Sequence, residues 1–230
     1  MNRQKMHSAH IKAWLFQRLA VPAIRFTNYS SKACFSLYLR YAPRDSQNLI
    51  APGYAQLNYN LHKSNSAYGK SGSRWAIKVV ELAAEVGTFD VLGYGCGKQT
   101  LKRALSSTGI HVTGYDPCIP GLRMKPAPHD IVICADVLEH VEPDCIDALL
   151  DESIRCSQIA AIVSVATKLA IKFLDDGRNA HLTVQPLSWW QSKFESRFTI
   201  VDIIELPGDE FALLLQISGE VPLKTTLRGA

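Results

Sequence analysis

The sequence predicts an α/β protein: a doubly wound, mostly parallel sheet that closes with an antiparallel C-terminal β-hairpin. Three observations predict it. Short apolar runs alternate with stretches of helical periodicity from residue 74 onward. Most of those runs are apolar on both faces, as strands covered by helices on either side must be. The last two runs, 198–206 and 210–218, are separated only by Pro207-Gly208-Asp209. Three residues cannot carry a parallel crossover, so this final pair is antiparallel.

The elements follow in order. From Arg74, the residues Trp75, Val79, Leu82, Ala83 and Val86 recur on one helical face, and Gly87 stops the helix. Phe89-Asp90-Val91-Leu92 is a strand that runs into the turn Gly93-Tyr94-Gly95-Cys96-Gly97. A second helix runs through Leu101 and Leu105 to Ser107, with Gly109 ending it. Residues 110–115 form the next strand, finishing at Asp116-Pro117, and after a proline-rich stretch residues 131–135 form a third. A helix over about 144–155 leads into a strand at 159–165.

Composition sets the limits around this core. The 230 residues are 47% hydrophobic and 20% charged, enough for one packed domain, which excludes disorder. Residues 1–44 carry eight Lys/Arg and no acid, so the formal net charge of +4 leaves −4 on residues 45–230. The sequence divides into a basic arm (1–44), a loop-rich lead-in (45–73), the α/β domain (74–220) and a C-terminal tail (221–230). The arm, with Ile11, Trp14, Leu15, Arg18 and Leu19 at helical spacing, reads as a transit peptide, a membrane-surface helix or a plain extension. The six cysteines never fall two or three apart, so no zinc-type cluster is expected, and reduced thiols in the cytoplasm are. An organelle is the alternative if the arm is a transit peptide. No apolar run approaches the roughly 20 residues that span a bilayer.

The chemistry concentrates at the strand–glycine turn–helix of residues 89–105. Gly95 and Gly97 permit a sharp turn and close approach to a ligand, and the helix start is expected to offer free N–H groups to it. Asp116 ends the next strand, where a carboxylate can accept both hydroxyls of a ribose. A nucleoside-containing cofactor follows. The dinucleotide fingerprint fails, with Lys98 or Thr100 at the third glycine, and the P-loop fails because Gln99 follows Gly97-Lys98.

Val91-Leu92-Gly93-Tyr94-Gly95-Cys96-Gly97, Gly114-Tyr115-Asp116 and Asp130-Ile131-Val132-Ile133-Cys134-Ala135-Asp136-Val137-Leu138-Glu139-His140 resemble strand motifs of class I S-adenosylmethionine-dependent methyltransferases. The resemblance covers about residues 74–218, and the terminal hairpin agrees with that family's Rossmann-like, seven-stranded sheet. Residues 68–75 and 181–190 are similar to a bacterial and phage subgroup. The resemblance implies S-adenosyl-L-methionine as cofactor. Tyr94, Gly95, Cys96 and Gly97 would lie against its methionine and ribose, Asp116 would hold the ribose hydroxyls, and Asp136 with Val137 would line the pocket beneath the methionine. The chain departs from the family at Gly93, where an acid is usual, and at Gln99, where a third glycine is usual. The segment between Asp116 and Asp130 is short, which implies an abbreviated strand and helix.

The implied function is methyl transfer to an oxygen or nitrogen nucleophile of a small-molecule or sugar-containing substrate. The alternative is a catalytically degenerate methyltransferase-fold protein that binds or scaffolds. A nicotinamide oxidoreductase is disfavoured by the failed fingerprint. Two histidines are candidate general bases, since imidazole titrates near neutral pH. His140 follows the third strand and is either a base or a cap of the next turn. His181, after the polar loop 175–179, is either a base or a surface histidine. Trp189 and Trp190 either wall a substrate pocket or pack on the sheet, and Glu139 reads as structural. Pro117-Cys118 follows the wrong strand for a cytosine-methylating nucleophile. With −4 on the catalytic part, a nucleic-acid substrate is disfavoured.

Overall fold

The computed structural model describes residues 49–217 and 222–229; the basic arm at 1–44 lies outside the described residues. The described strands are β1 (Asp90–Tyr94), β2 (His111–Tyr115), β3 (His129–Ala135), β4 (Ser157–Ala166), β5 (Thr199–Leu206) and β6 (Glu210–Gln216). They form one sheet in the order β2-β1-β3-β4-β6-β5. The first four pair in parallel, whereas β6 runs antiparallel to both β4 and β5. The hairpin at Pro207-Gly208-Asp209 therefore closes the sheet as its loop length demands. Six strands appear among the described residues, and no helix or strand intervenes between β2 and β3.

Side chains alternate across a strand, so burial of both parities means that both faces are covered. Val91, Ile131, Ile133, Ile162 and Leu214 pack into one cluster with helix α2 (Ala76–Val86) and with Trp75. Their neighbours Leu92, Val132, Cys134, Val163 and Leu213 are buried as well. Helices α4 (Ile146–Cys156) and α5 (Leu187–Glu195) bring further apolar side chains, among them Leu150, Trp190 and Phe194. Helix α2 ends as its sequence requires, at Gly87 with φ +69°.

Four expectations are corrected. The lead-in holds a helix of 13 residues, α1 (Pro52–Ser64), with Pro52 in its first turn. Tyr54 and Leu61 on α1 pack with Tyr68, Leu174 and Ala180 in a second cluster, so tertiary packing stabilises a segment whose polar composition hid the pattern. The helix after the glycine turn, α3 (Thr100–Ala104), stops well before Ser107, because residues 105–109 turn towards β2. The helix at residue 74 begins as a 3₁₀ segment, Ser71–Trp75, and becomes α-helical from Ala76. Beyond β6, residues 222–229 return to the domain instead of trailing: Leu227 is fully buried, and its amide donates to Asp202 at 2.7 Å. Among the described residues no helix is long and apolar enough to cross a membrane.

Candidate active site

A cavity of about 260 Å³ lies where the carboxyl ends of β1, β2 and β3 meet α1 and the 166–182 segment. That is where open α/β sheets place ligands. Gly95, Cys96, Asp116, Asp136, Val137, His140 and His181 all line it.

The glycine turn is built by contact. Gly95 has φ +66°, and a Cβ there would stand 2.4 Å from Val137 Cγ2, so glycine lets the turn and the end of β3 touch. Gly97 has φ +49°, and a Cβ on it would stand 2.5 Å from the carbonyl oxygen of Gly69. The lead-in thus lies directly on the turn, fixed by the Lys98 amide donating to Gly69 O at 2.8 Å and by Lys98 Nζ donating to His62 O at 2.8 Å. Gly97 is buried beneath that contact, and its amide holds Asp116, which lines the cavity. Tyr94 reaches the cavity, but its ring packs on Tyr115 with centroids 4.9 Å apart.

The turn amides that precede the helix are engaged within the chain. Cys96 N donates to Tyr115 O, Gly97 N to an Asp116 carboxylate oxygen, Lys98 N to Gly69 O and Gln99 N to Cys96 O, all within 3.0 Å. Helix α3, five residues long, follows these four engaged amides. Gln99 adopts the left-handed conformation, φ 54° and ψ 37°, that the family's third glycine would take without strain. Its side chain folds towards Gly114 instead of obstructing the turn.

Asp116 is 4% exposed. One oxygen accepts from Gly97 N at 3.0 Å and the other from Cys118 N at 2.9 Å, which leaves further lone pairs on both. Asp136, at φ 53°, accepts from Arg74 at 2.7 Å and from the Ser164 hydroxyl at 2.7 Å. Arg74 also pairs with Glu210. Burial alone would raise the Asp136 pKa, but the Arg74 charge and the hydrogen bonds hold it below the usual carboxylate range.

The two histidines meet, with ring centroids 4.8 Å apart. His140 Nδ1 lies 2.7 Å from Ala180 O, and His181 Nδ1 lies 2.6 Å from Lys168 O. A carbonyl only accepts, so each Nδ1 carries the proton and each Nε2 keeps a basic lone pair. Burial, reinforced by His181, lowers the His140 pKa to about 4, and burial lowers that of His181. Thr183 secures the arrangement by donating its amide to Glu139 O at 3.0 Å and its hydroxyl to Val141 O at 2.7 Å. His140 is therefore neither a turn cap nor isolated, and His181 is half-buried in the cavity wall. Glu139 is fully buried, and burial followed by the Asp136 charge raises its pKa well above the ordinary carboxylate value.

Trp190 is fully buried and Trp189 meets it edge to face with centroids 4.9 Å apart; neither lines the cavity, which favours the packing reading. Cys118 lines the cavity, and burial raises its thiol pKa, as it raises that of Cys96 to about 12, so neither thiol is poised as a nucleophile. Sequence reasoning missed Arg74, Glu210, His62 and Tyr68 as site residues. The lead-in motif Tyr68-Gly69 was the signal that could have found the last two.

No family model matches the chain, and no curated protein matches it. Among solved structures it is similar to 1,6-didemethyltoxoflavin-N1-methyltransferase from Burkholderia thailandensis, solved with 1,6-didemethyltoxoflavin and S-adenosylhomocysteine. Identity is 17%, the match covers 77% of this chain and 95% of that one, and the TM-score is 0.55. Magnesium protoporphyrin IX methyltransferase from Synechocystis, with S-adenosylhomocysteine bound, aligns over 91% of this chain and 99% of that one at 14% identity and a TM-score of 0.46. The six-stranded sheet, its reversed β6 and the first of these likenesses lead to one conclusion: the chain has the fold of the class I S-adenosylmethionine-dependent methyltransferases.

Proposed function

We propose that the protein transfers a methyl group from S-adenosylmethionine to an oxygen or nitrogen of a small-molecule or sugar-containing substrate. The observation that carries this reading is the glycine turn locked to Asp116 at the mouth of a cavity that also holds two neutral imidazoles. The residues present suit the cofactor. Asp116 keeps free lone pairs for ribose hydroxyls, and Gly95, Cys96 and Val137 line the cavity together with it. S-adenosylmethionine supplies an electrophilic methyl group on a sulfonium.

This chain's own part is positioning and proton removal. Asp116, held by Gly97 and Cys118, fixes one end of the cofactor. The Nε2 atoms of His140 and His181 are the basic atoms at the acceptor side. With −4 on residues 45–230, an uncharged or cationic acceptor suits the protein better than a nucleic acid. The Burkholderia relative's own small-molecule substrate supports that class. We assign the protein to the cytoplasm from its cysteine spacing, with an organelle as the alternative if the arm is a transit peptide.

Calorimetry on the full chain with S-adenosylmethionine and S-adenosylhomocysteine tests the proposal. Binding of both is expected; no heat at millimolar ligand overturns it. A degenerate binding protein remains the second reading, because Gly93 stands where an acid is usual. There a Cβ would meet Cys96 Cβ at 3.3 Å. Restoring both family residues, Gly93→Asp with Gln99→Gly, decides between them. A large gain in affinity favours degeneration, and an unchanged affinity favours a turn that is already competent.

A further inference from the structure

Glu139, His140 and His181 bring one metal-ligating atom each to within 4.8 Å of one another in the cavity wall. Each imidazole is already oriented by an Nδ1–H bond to a backbone carbonyl, Ala180 O for His140 and Lys168 O for His181. Metal-binding histidines are held in this way, with the second nitrogen left for the ion. Glu139 supplies an independent sign. It is fully buried, its Oε1 accepts from Ala166 N at 3.2 Å, and its Oε2 is buried with no hydrogen-bond partner. A buried carboxyl oxygen with no hydrogen-bond partner has lost its hydration without replacement. A cation held by the Glu139 carboxyl group and the two imidazoles would supply that replacement, the Glu139 proton leaving as the ion binds.

We propose that Glu139, His140 and His181 form a binding site for a first-row divalent transition metal. Two imidazoles and one carboxylate suit Zn²⁺, Fe²⁺, Co²⁺ or Ni²⁺; Mg²⁺ and Ca²⁺ prefer all-oxygen sets. Bonds of about 2.1 Å place ligand atoms roughly 3.0 to 3.4 Å apart, so the site closes by about 1 to 2 Å on binding. His181, half-buried on the segment after β4, is the member that would shift inward, carrying its bond to Lys168 O with it. Asp136 and Glu210 favour a cation nearby, while Arg74, Lys168 and Lys172 oppose it. Three protein ligands leave coordination positions open to the cavity.

Metal binding stands on this donor set alone. Its use rests on the methyl-transfer reading, under which the ion takes the acceptor's oxygen or nitrogen as a further ligand. The two imidazoles then hold the ion, which acidifies the bound acceptor so that its proton leaves to water through the open cavity.

Cobalt titration of the full-length, chelator-treated protein tests the site through the visible absorption of bound Co²⁺. Saturation at one Co²⁺ per chain is expected, with His181→Ala and the isosteric Glu139→Gln each weakening it at least tenfold. Circular dichroism melts establish that each variant is folded; if one is not, the other decides. Failure of the wild type to bind overturns the proposal, as does unchanged affinity in a folded variant. Thiolate charge-transfer bands in the near ultraviolet would place the metal on cysteines and overturn it too. Calorimetry with S-adenosylmethionine on metal-free and loaded protein separates the two proposals. Cofactor binding without a cobalt site removes only the metal site, and a cobalt site without cofactor binding removes only the methyl-transfer reading.

Discussion

Asp116 has two tasks, because the oxygens expected to meet a ribose also accept the amides of Gly97 and Cys118. Asp116→Ala should therefore lower S-adenosylmethionine affinity at least tenfold and cost about 1 to 3 kcal/mol of stability by leaving buried donors unpaired. Calorimetry measures the first and urea unfolding the second; stability loss with unchanged affinity would confine Asp116 to holding the turn. Gln99 presents the opposite case. Its left-handed backbone strains any residue with a Cβ. Gln99→Gly should raise stability by about 0.5 to 1 kcal/mol in the same urea assay, since the strain relieved outweighs the extra freedom of the unfolded chain. No gain would mean that the Gln99 side chain, lying beside Gly114, offsets the strain.

The unit made of β1, the glycine turn and α3 depends on the segment that precedes it. Gly69 and Gly97 approach with no side chain between them, so Gly97→Ala should dislodge the lead-in and cost about 1 to 3 kcal/mol, with cofactor binding lost as well. An alanine variant with wild-type stability and affinity would show that the contact yields easily. This docking was hard to read from the sequence. The strands announced themselves through continuous apolar runs, and the reversed β6 through a three-residue turn. Helix α1 did not, because Tyr54, Asn58 and Leu61 face a second cluster across which Asn58 donates to the Tyr54 and Tyr68 hydroxyls. The pairing of His181 with His140 left no trace either. It rests on hydrogen bonds to the backbone carbonyls of Ala180 and Lys168, and a carbonyl looks the same at every position of a sequence. Asp116 and the end of β3 were legible because their strand-end places follow from the order of elements.

The described domain is held closed from its far end as well. Glu85 on α2 accepts the amides of Lys224 and Thr225, and Leu227 enters the same cluster as Val79 and Leu214. Leu227→Ala should cost about 2 to 5 kcal/mol, the range for emptying a buried leucine site. Urea unfolding checks this, and a loss under about 1 kcal/mol would show that the segment is dispensable to the core. Something further follows from the turn, four of whose amides, from Cys96 to Gln99, are engaged within the chain. Most adenosine compounds in a cell carry phosphates, and proteins commonly grip phosphates with free backbone donors. A turn with these four donors occupied gives a phosphate less to hold, so under the proposed function it would favour an adenosine joined to sulfur over ATP. Millimolar ATP added during an S-adenosylmethionine titration should leave the measured affinity unchanged, even where ATP far outnumbers the ligand.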